Sequence, residues 1–155
     1  MCKDRLERAL AQARRNGETA AVLFLDLDGF KAINDSYGHE YGDHVLKITA
    51  NRIKGEIRET DTVARIGGDE FLVILSGLPD LSVVERIAAS LVLQVSQPIT
   101  IDHNQVAVGA SIGIALYPDD ASDSEELIRI ADKAMYSVKS RGKNSFGFVQ
   151  PNRLH

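Results

Sequence analysis

A hairpin near the middle of this chain decides what kind of sheet it can build. Thr62-Val-Ala-Arg-Ile66 alternates in the manner of a strand, and Phe71-Leu-Val-Ile-Leu75 is a short apolar run suited to a buried one. Gly67-Gly68 between them reads as the turn, and an antiparallel hairpin set between helices excludes a doubly wound parallel sheet. Glycine at the tip permits positive φ and lets a ligand's phosphates approach the backbone with no Cβ in the way. Asp69 and Glu70 follow at once, hard oxygen ligands of the kind that Mg²⁺ carrying a nucleoside triphosphate takes. Standing alone, Gly-Gly-Asp is only a turn.

It does not stand alone. Upstream, Val22-Leu-Phe-Leu-Asp26-Leu-Asp28 is an apolar strand ending on two carboxylates that share a face by period-2 geometry. Ligand sites in sheets of this kind favour strand ends. The two acidic clusters can meet only if their strands are neighbours. If they meet, like charges so close need a cation, which is the layout of two-metal phosphoryl transfer: one ion activates an attacking hydroxyl and the other holds the triphosphate.

The other elements alternate without linker, repeat or low-complexity segment. Asp4 to Arg15 reads as a helix with Leu6, Leu10 and Ala13 inward, and Ala20 to Asp26 as the first strand. Glu40 to Arg58 spaces Leu46, Ala50, Ile53 and Ile57 helically, and Leu81 to Ser96 does the same with Val84, Ile87, Leu91 and Val95. Gln105 to Tyr117 reads as one strand closed by Pro118, with Ile99 to Ile101 as its partner. Ser122 or Asp123 caps a last helix that buries Leu127, Ala131, Ala134 and Val138 and ends near Gly142; a strand over Ser145 to Val149 completes the sheet.

Composition narrows the function. At 155 residues and 44% hydrophobic the chain is one domain with material for a single core. A net charge of −4 argues against binding a nucleic acid polymer through a basic surface. The lone Cys2 rules out an intrachain disulfide and fits a reducing cytosol. No apolar run approaches a membrane span and no signal peptide is present, so a soluble cytoplasmic domain without membrane contact of its own is expected.

The residues also carry a family resemblance. Asp26-Leu-Asp-Gly-Phe-Lys-Ala-Ile-Asn34-Asp35, Gly38-His39, Gly42-Asp43, Arg65-Ile-Gly-Gly-Asp-Glu-Phe71, Ser111-Ile-Gly-Ile-Ala115, Ala131-Asp-Lys-Ala-Met-Tyr136 and Lys139-Ser-Arg-Gly-Lys-Asn144 resemble, in order, the motifs of the GGDEF family of diguanylate cyclases. Each motif is weak and the ordered set is very specific. The resemblance implies an α+β fold, a central, mostly antiparallel sheet flanked by helices and related to the polymerase palm and nucleotidyl cyclases. It implies condensation of two GTP into cyclic di-GMP and pyrophosphate by a homodimer in which each protomer holds one GTP.

Residue by residue, the resemblance assigns Mg²⁺ (or Mn²⁺) to Asp26, the backbone carbonyl of Leu27 and Asp69. Glu70 is either a ligand of the second ion or the group that helps deprotonate the attacking 3′-hydroxyl. Asn34 and Asp43 address the guanine edge, with His39 in the same segment. Lys31 faces the phosphates as a catalytic cation, beside the Gly67-Gly68 turn, and Lys139 and Lys143 hold the β- and γ-phosphates. Many members carry Arg at the position of Lys143, and Lys loses the bidentate fork. Arg58-Glu-Thr-Asp61 matches the family's inhibitory Arg-x-x-Asp, which binds the product. Plainer roles compete: Asn34-Asp35 as a turn or helix end, Lys139 and Lys143 as a solvated helix terminus, His39 and Arg58 as surface side chains.

The family's usual opening segment, Asp-x-Leu-Thr-Gly-Leu-x-Asn-Arg, is missing, so residues 1–155 are expected to be a single GGDEF domain excised from a longer protein bearing sensory or EAL-type domains, with a membrane anchor elsewhere in that protein left open. The alternative to the enzyme is a catalytically silent module that binds GTP or cyclic di-GMP and regulates an attached effector such as an EAL phosphodiesterase. Intact Asp26, Asn34, Asp43, Asp69 and Glu70 favour the enzyme.

Overall fold

The computed structural model describes residues 2–148. Its elements run α1 (Cys2–Asn16), β1 (Thr19–Asp28), α2 (Phe30–Tyr37), α3 (His39–Lys54), β2 (Thr62–Arg65), β3 (Glu70–Leu78), α4 (Leu81–Val95), β4 (Ile99–Ile101), β5 (Asn104–Val106), β6 (Gly109–Tyr117), α5 (Ser124–Ser140) and β7 (Ser145–Phe148). A five-stranded sheet has the order β2-β3-β1-β6-β7, and β4-β5 forms a separate ribbon. Within the main sheet only β6 and β7 pair in parallel. The α+β architecture read from the sequence is the one observed.

Alternation along β1 divides the core between the two faces of the sheet. Ala21, Leu23, Leu25 and Leu27 pack with α3 residues such as Val45 and Ile53 and with Val84, Ala88, Leu91 and Val95 of α4. Ala20, Val22 and Phe24 pack instead with Leu6, Leu10 and Ala13 of α1 and Leu127, Ala131 and Met135 of α5. Asp26 and Asp28 continue the second parity, so both carboxylates leave the strand on the face that carries α5. Gly113 of β6 lets α5 lie against the sheet: a Cβ there would stand 1.9 Å from the Ala131 carbonyl oxygen. Of the two caps read for α5, the structure uses Asp123, which accepts the Glu126 N–H at 3.1 Å.

Two elements differ from the expectation. The helix read over Glu40 to Arg58 ends at Lys54: the chain turns at Gly55, and the Asp61 carboxylate takes the Arg58 N–H (2.9 Å) into a tight loop instead. Ile57, beyond the helix, still packs on the core. The single strand read over Gln105 to Tyr117 is two strands in two sheets, because β4 and β5 close a hairpin on Asp102 and His103, both at positive φ (50° and 70°), and the chain breaks before β6. A turn with both central residues left-handed matches strand twist, but Asp-His lacks the glycine that usually announces it. Asn34-Asp35 is neither a turn nor a helix end: it lies inside α2, which Gly29 (φ 84°) opens directly off β1. The last strand is β7, and Val149 falls outside the described residues. Among the described residues no helix is long and apolar enough to cross a membrane.

Candidate functional site

The sheet brings the two acidic clusters together. β1 and β3 are antiparallel neighbours in a register that sets Asp26 opposite Glu70, and the Leu27 N–H donates to the Asp69 carbonyl at 3.0 Å, extending the ladder to the hairpin tip. The tip closes through Ile66 N–H to the Glu70 carbonyl (2.9 Å), with Arg65 Nε on the Gly67 carbonyl (2.9 Å). Neither tip glycine adopts the positive φ expected of it. The tip is open: a Cβ on Gly67 would stand 2.6 Å from Glu70 Oε1, the movable end of a side chain, and one on Gly68 would meet nothing within 4 Å.

The electrostatics call for a cation. Burial, then the charge of Asp69, pushes the Asp26 carboxyl up to about 6 against the opposing pull of Lys139. Glu70 is raised as well, by burial and then by Asp69 and Asp132. Lys139 Nζ reaches Asp26 Oδ2 at 3.2 Å and Asp28 Oδ1 at 3.4 Å, yet Asp26 Oδ1 is buried with no hydrogen-bond partner. Among the described residues no three His, Cys, Asp or Glu side chains converge as a preformed metal cage. An orphaned carboxylate oxygen with few protein donors around it suits Mg²⁺, which keeps waters and substrate phosphates in its shell. With water and phosphate completing the shell, Asp26, Asp69 and Glu70 and the Leu27 carbonyl could hold such an ion.

Lys139 is not the solvated helix end of the plainer reading; its side chain is 25% exposed and bridges the two aspartates. Burial opposes its charge, but the ion pairs and hydrogen bonds to Asp26 and Asp28 outweigh it, so its pKa is raised. Lys143 is exposed in a loop where Lys143 (φ 65°) and Asn144 (φ 47°) are both left-handed. Lys31 is exposed in the first turn of α2, and His39 opens α3 in solvent.

Asn34 and Asp43 flank the corner between α2 and α3. Asn34 Oδ1 is buried without a partner, and Gly42 makes room for it: a Cβ there would lie 1.8 Å from that oxygen. Asp43 is exposed on the rim of a cleft of about 450 Å³ shared with Leu46, Lys47, Arg65 and Phe71, which runs from α3 to the hairpin. Tyr41 steadies this corner, stacking on Tyr37 with centroids 4.5 Å apart and sending its hydroxyl to the Ile101 and Asn104 carbonyls (3.4 Å each).

Arg58 and Asp61 are not surface decoration. The Asp61 side chain is fully buried and accepts from Arg58 N (2.9 Å), Arg58 Nε and Nη2 (3.3 Å each) and Ser76 N (3.2 Å). Arg58 Nη2 also donates to the Ser76 carbonyl. Asp61 is thus committed to the loop, and the exposed Arg58 is the member facing a cavity of about 610 Å³ that Arg5 and Lys54 also line. Sequence reading passed over Asp132, Ser111 and Asn144 as site residues, although all lie within the family-like motifs.

Comparison with known proteins agrees with this geometry. The family model described as "Diguanylate cyclase, GGDEF domain" matches residues 1–145. The bifunctional diguanylate cyclase/cyclic di-GMP phosphodiesterase MucR of Pseudomonas aeruginosa is 47% identical over 147 residues, 95% of this chain and 21% of that protein. The isolated GGDEF domain of TpbB (YfiN) from Pseudomonas aeruginosa superposes with a TM-score of 0.93 at 44% identity, covering 97% of this chain and 88% of that one. The GGDEF domain of DgcB from Caulobacter crescentus, solved in complex with c-di-GMP, gives a TM-score of 0.85 at 30% identity over 94% of this chain and 86% of that one. The chain spans only 21% to 34% of the first curated relatives it matches.

Proposed function

The chain belongs to the GGDEF family of diguanylate cyclase domains, and on that premise we propose that two copies condense two GTP into cyclic di-GMP and two pyrophosphates. The observation that carries the reading is Asp26, a half-buried carboxylate with one buried oxygen unpartnered, set in register with Glu70 beside an open Gly-Gly tip. Asp26, the Leu27 carbonyl and Asp69 would hold Mg²⁺, which when bound would neutralise triphosphate charge and lower the pKa of the attacking hydroxyl. Asn34 and Asp43 orient the base, an Asp carboxylate accepting the paired guanine N1–H and N2–H. The open backbone at Gly67-Gly68 admits the phosphates, and Lys31, Lys139 and Lys143 complement their charge, which grows in the transition state. Glu70 either shares the ion or takes the 3′-hydroxyl proton.

The 3′-hydroxyl of each GTP attacks the α-phosphorus of the other; the new P–O bond forms as the bond to pyrophosphate breaks. One protomer therefore holds half of a reactive pair, and two sites face each other across a two-fold axis. Arg58 and the cavity beside it form the product-binding inhibitory site.

The test is incubation of the chain with GTP and Mg²⁺ over a range of protein concentrations, followed by chromatography of the nucleotides. Cyclic di-GMP should form at a rate per protomer that rises with concentration, and Asp69→Asn, which removes a charged ligand at nearly constant shape, should abolish it. Unchanged GTP from an artificially dimerised chain would leave the silent binding module as the better reading.

A further inference from the structure

One cluster beside the site has no role in the proposed reaction. Asp28, the last residue of β1, is 9% exposed, and its carboxylate is the most heavily used of the described acidic groups near the site. Ser111 Oγ donates to both of its oxygens (2.8 and 2.9 Å), the backbone N–H of Asn144 donates to Oδ2 (2.9 Å), and Lys139 Nζ stands 3.4 Å from Oδ1. The Asn144 side chain is fixed in turn, its Oδ1 accepting the Ala110 N–H at 3.1 Å. Gly109, opposite Asp28 in the ladder, is what this packing requires: a Cβ there would stand 2.9 Å from Asp28 Oδ2 and 3.2 Å from Asn144 Oδ1.

These bonds hold a backbone that would not hold itself. Lys143 and Asn144 are consecutive non-glycine residues at positive φ (65° and 47°), and such conformations persist where surrounding structure over-determines them. The bonds from Asn144 to Asp28 and Ala110 are that surrounding structure. Meanwhile Asp26, the other partner of Lys139, is the carboxylate a divalent cation claims. Asp28 is the anion left to Lys139 once that happens.

We propose that Asp28 is a positioning residue for the triphosphate: it aims Lys139 directly and Lys143 through the Asn144 backbone. The proposal rests on the reading of those two lysines as phosphate ligands. It gives the second aspartate of the strand-end pair a task distinct from metal binding.

The test measures binding to the chain with Mg²⁺ by calorimetry, using 3′-deoxy-GTP, which lacks the attacking hydroxyl, beside GMP, which lacks the β- and γ-phosphates. Asp28→Asn keeps an acceptor for Ser111 and Asn144 but removes the charge facing Lys139; Asp28→Ala removes both. Affinity for 3′-deoxy-GTP should fall about tenfold in Asp28→Asn and about a hundredfold in Asp28→Ala, with GMP binding unchanged. Hydrogen exchange at the Asn144 amide should stay protected in Asp28→Asn, which keeps the test informative if Asp28→Ala does not fold. Lys139→Ala is the control. If it weakens 3′-deoxy-GTP while Asp28→Asn matches wild type, or if Asp28→Asn weakens GMP equally, the positioning role is wrong. If Lys139→Ala itself binds 3′-deoxy-GTP as wild type does, the phosphate reading of Lys139 fails and takes the proposal with it.

Discussion

Asp26 and Glu70 stand opposite each other in the antiparallel ladder between β1 and β3. Opposed residues on paired strands present their side chains to the same face, and like charges in that relation are destabilising. The domain thus carries, at the end of its central strand, an electrostatic load that a bound cation relieves.

The first prediction follows from Asp26. Its folded pKa of about 6 lies above the ordinary 3.8, so folding favours the protonated acid; the stability this contributes is full below about pH 4 and is lost as pH rises through about 6. Glu70 is displaced in the same direction. Urea unfolding in the presence of chelator should show the domain weakening across that window by roughly 1–3 kcal/mol. Asp26→Asn should flatten the profile, and millimolar Mg²⁺ should restore stability above it. An identical slope in the variant would assign the dependence to other groups.

Gly42→Ala probes the guanine corner without touching a proposed ligand. The new Cβ would press on Asn34 Oδ1 and come within 3.2 Å of Phe30 Cζ, so the Asn34 amide must leave its seat. Helix propensity improves by about 1 kcal/mol, offsetting part of the clash, so the melting temperature should move little. GTP affinity should fall about tenfold, and adding Asn34→Ala should cost nothing further, as expected of residues acting through one contact. Full additivity would show that Gly42→Ala weakens GTP by a route other than Asn34.

Feedback separates Arg58 from Asp61. Arg58→Ala should weaken cyclic di-GMP binding at least tenfold and shift product inhibition to correspondingly higher concentration, read as initial rates with added product. It leaves Asp61 its backbone donors at Arg58 and Ser76. Asp61→Ala takes the acceptor from two part-buried N–H groups, one in the loop and one in β3, and should lower stability by about 1–3 kcal/mol. Equal inhibition of wild type and Arg58→Ala would place the product effect at the GTP pocket.

Gly113→Ala tests how α5 is seated. The added Cβ would lie 1.9 Å from the Ala131 carbonyl oxygen and 2.3 Å from the Met135 nitrogen, and backbone cannot swing aside as a side chain does. Displacing α5 also displaces Lys139 from Asp26 and Asp28. A loss of about 3 kcal/mol or more is expected, seen as a large fall in melting temperature.

Local chemistry was legible in the sequence. Periodicity located the four long helices and the hairpin, and the Asp123 cap and the Gly-Gly tip announce themselves within a few residues. Where local signals mislead, the structure departs: the Asp102-His103 turn has no glycine, and α3 stops at Lys54 because Asp61 captures a backbone N–H that the helix pattern alone would have continued past. What only the tertiary structure decided is which polar groups meet. Asp28 was visible as a partner of Asp26 on one strand face, but Ser111 and Asn144, 83 and 116 residues away, reach it through the β1–β6 pairing and the loop after α5. A hydrogen bond across such a separation leaves no periodic or compositional trace, since its geometry is fixed by strand register and helix seating rather than by neighbours in the chain. Candidate acidic residues can therefore be named from the sequence, while the different partners that Asp26 and Asp28 keep cannot.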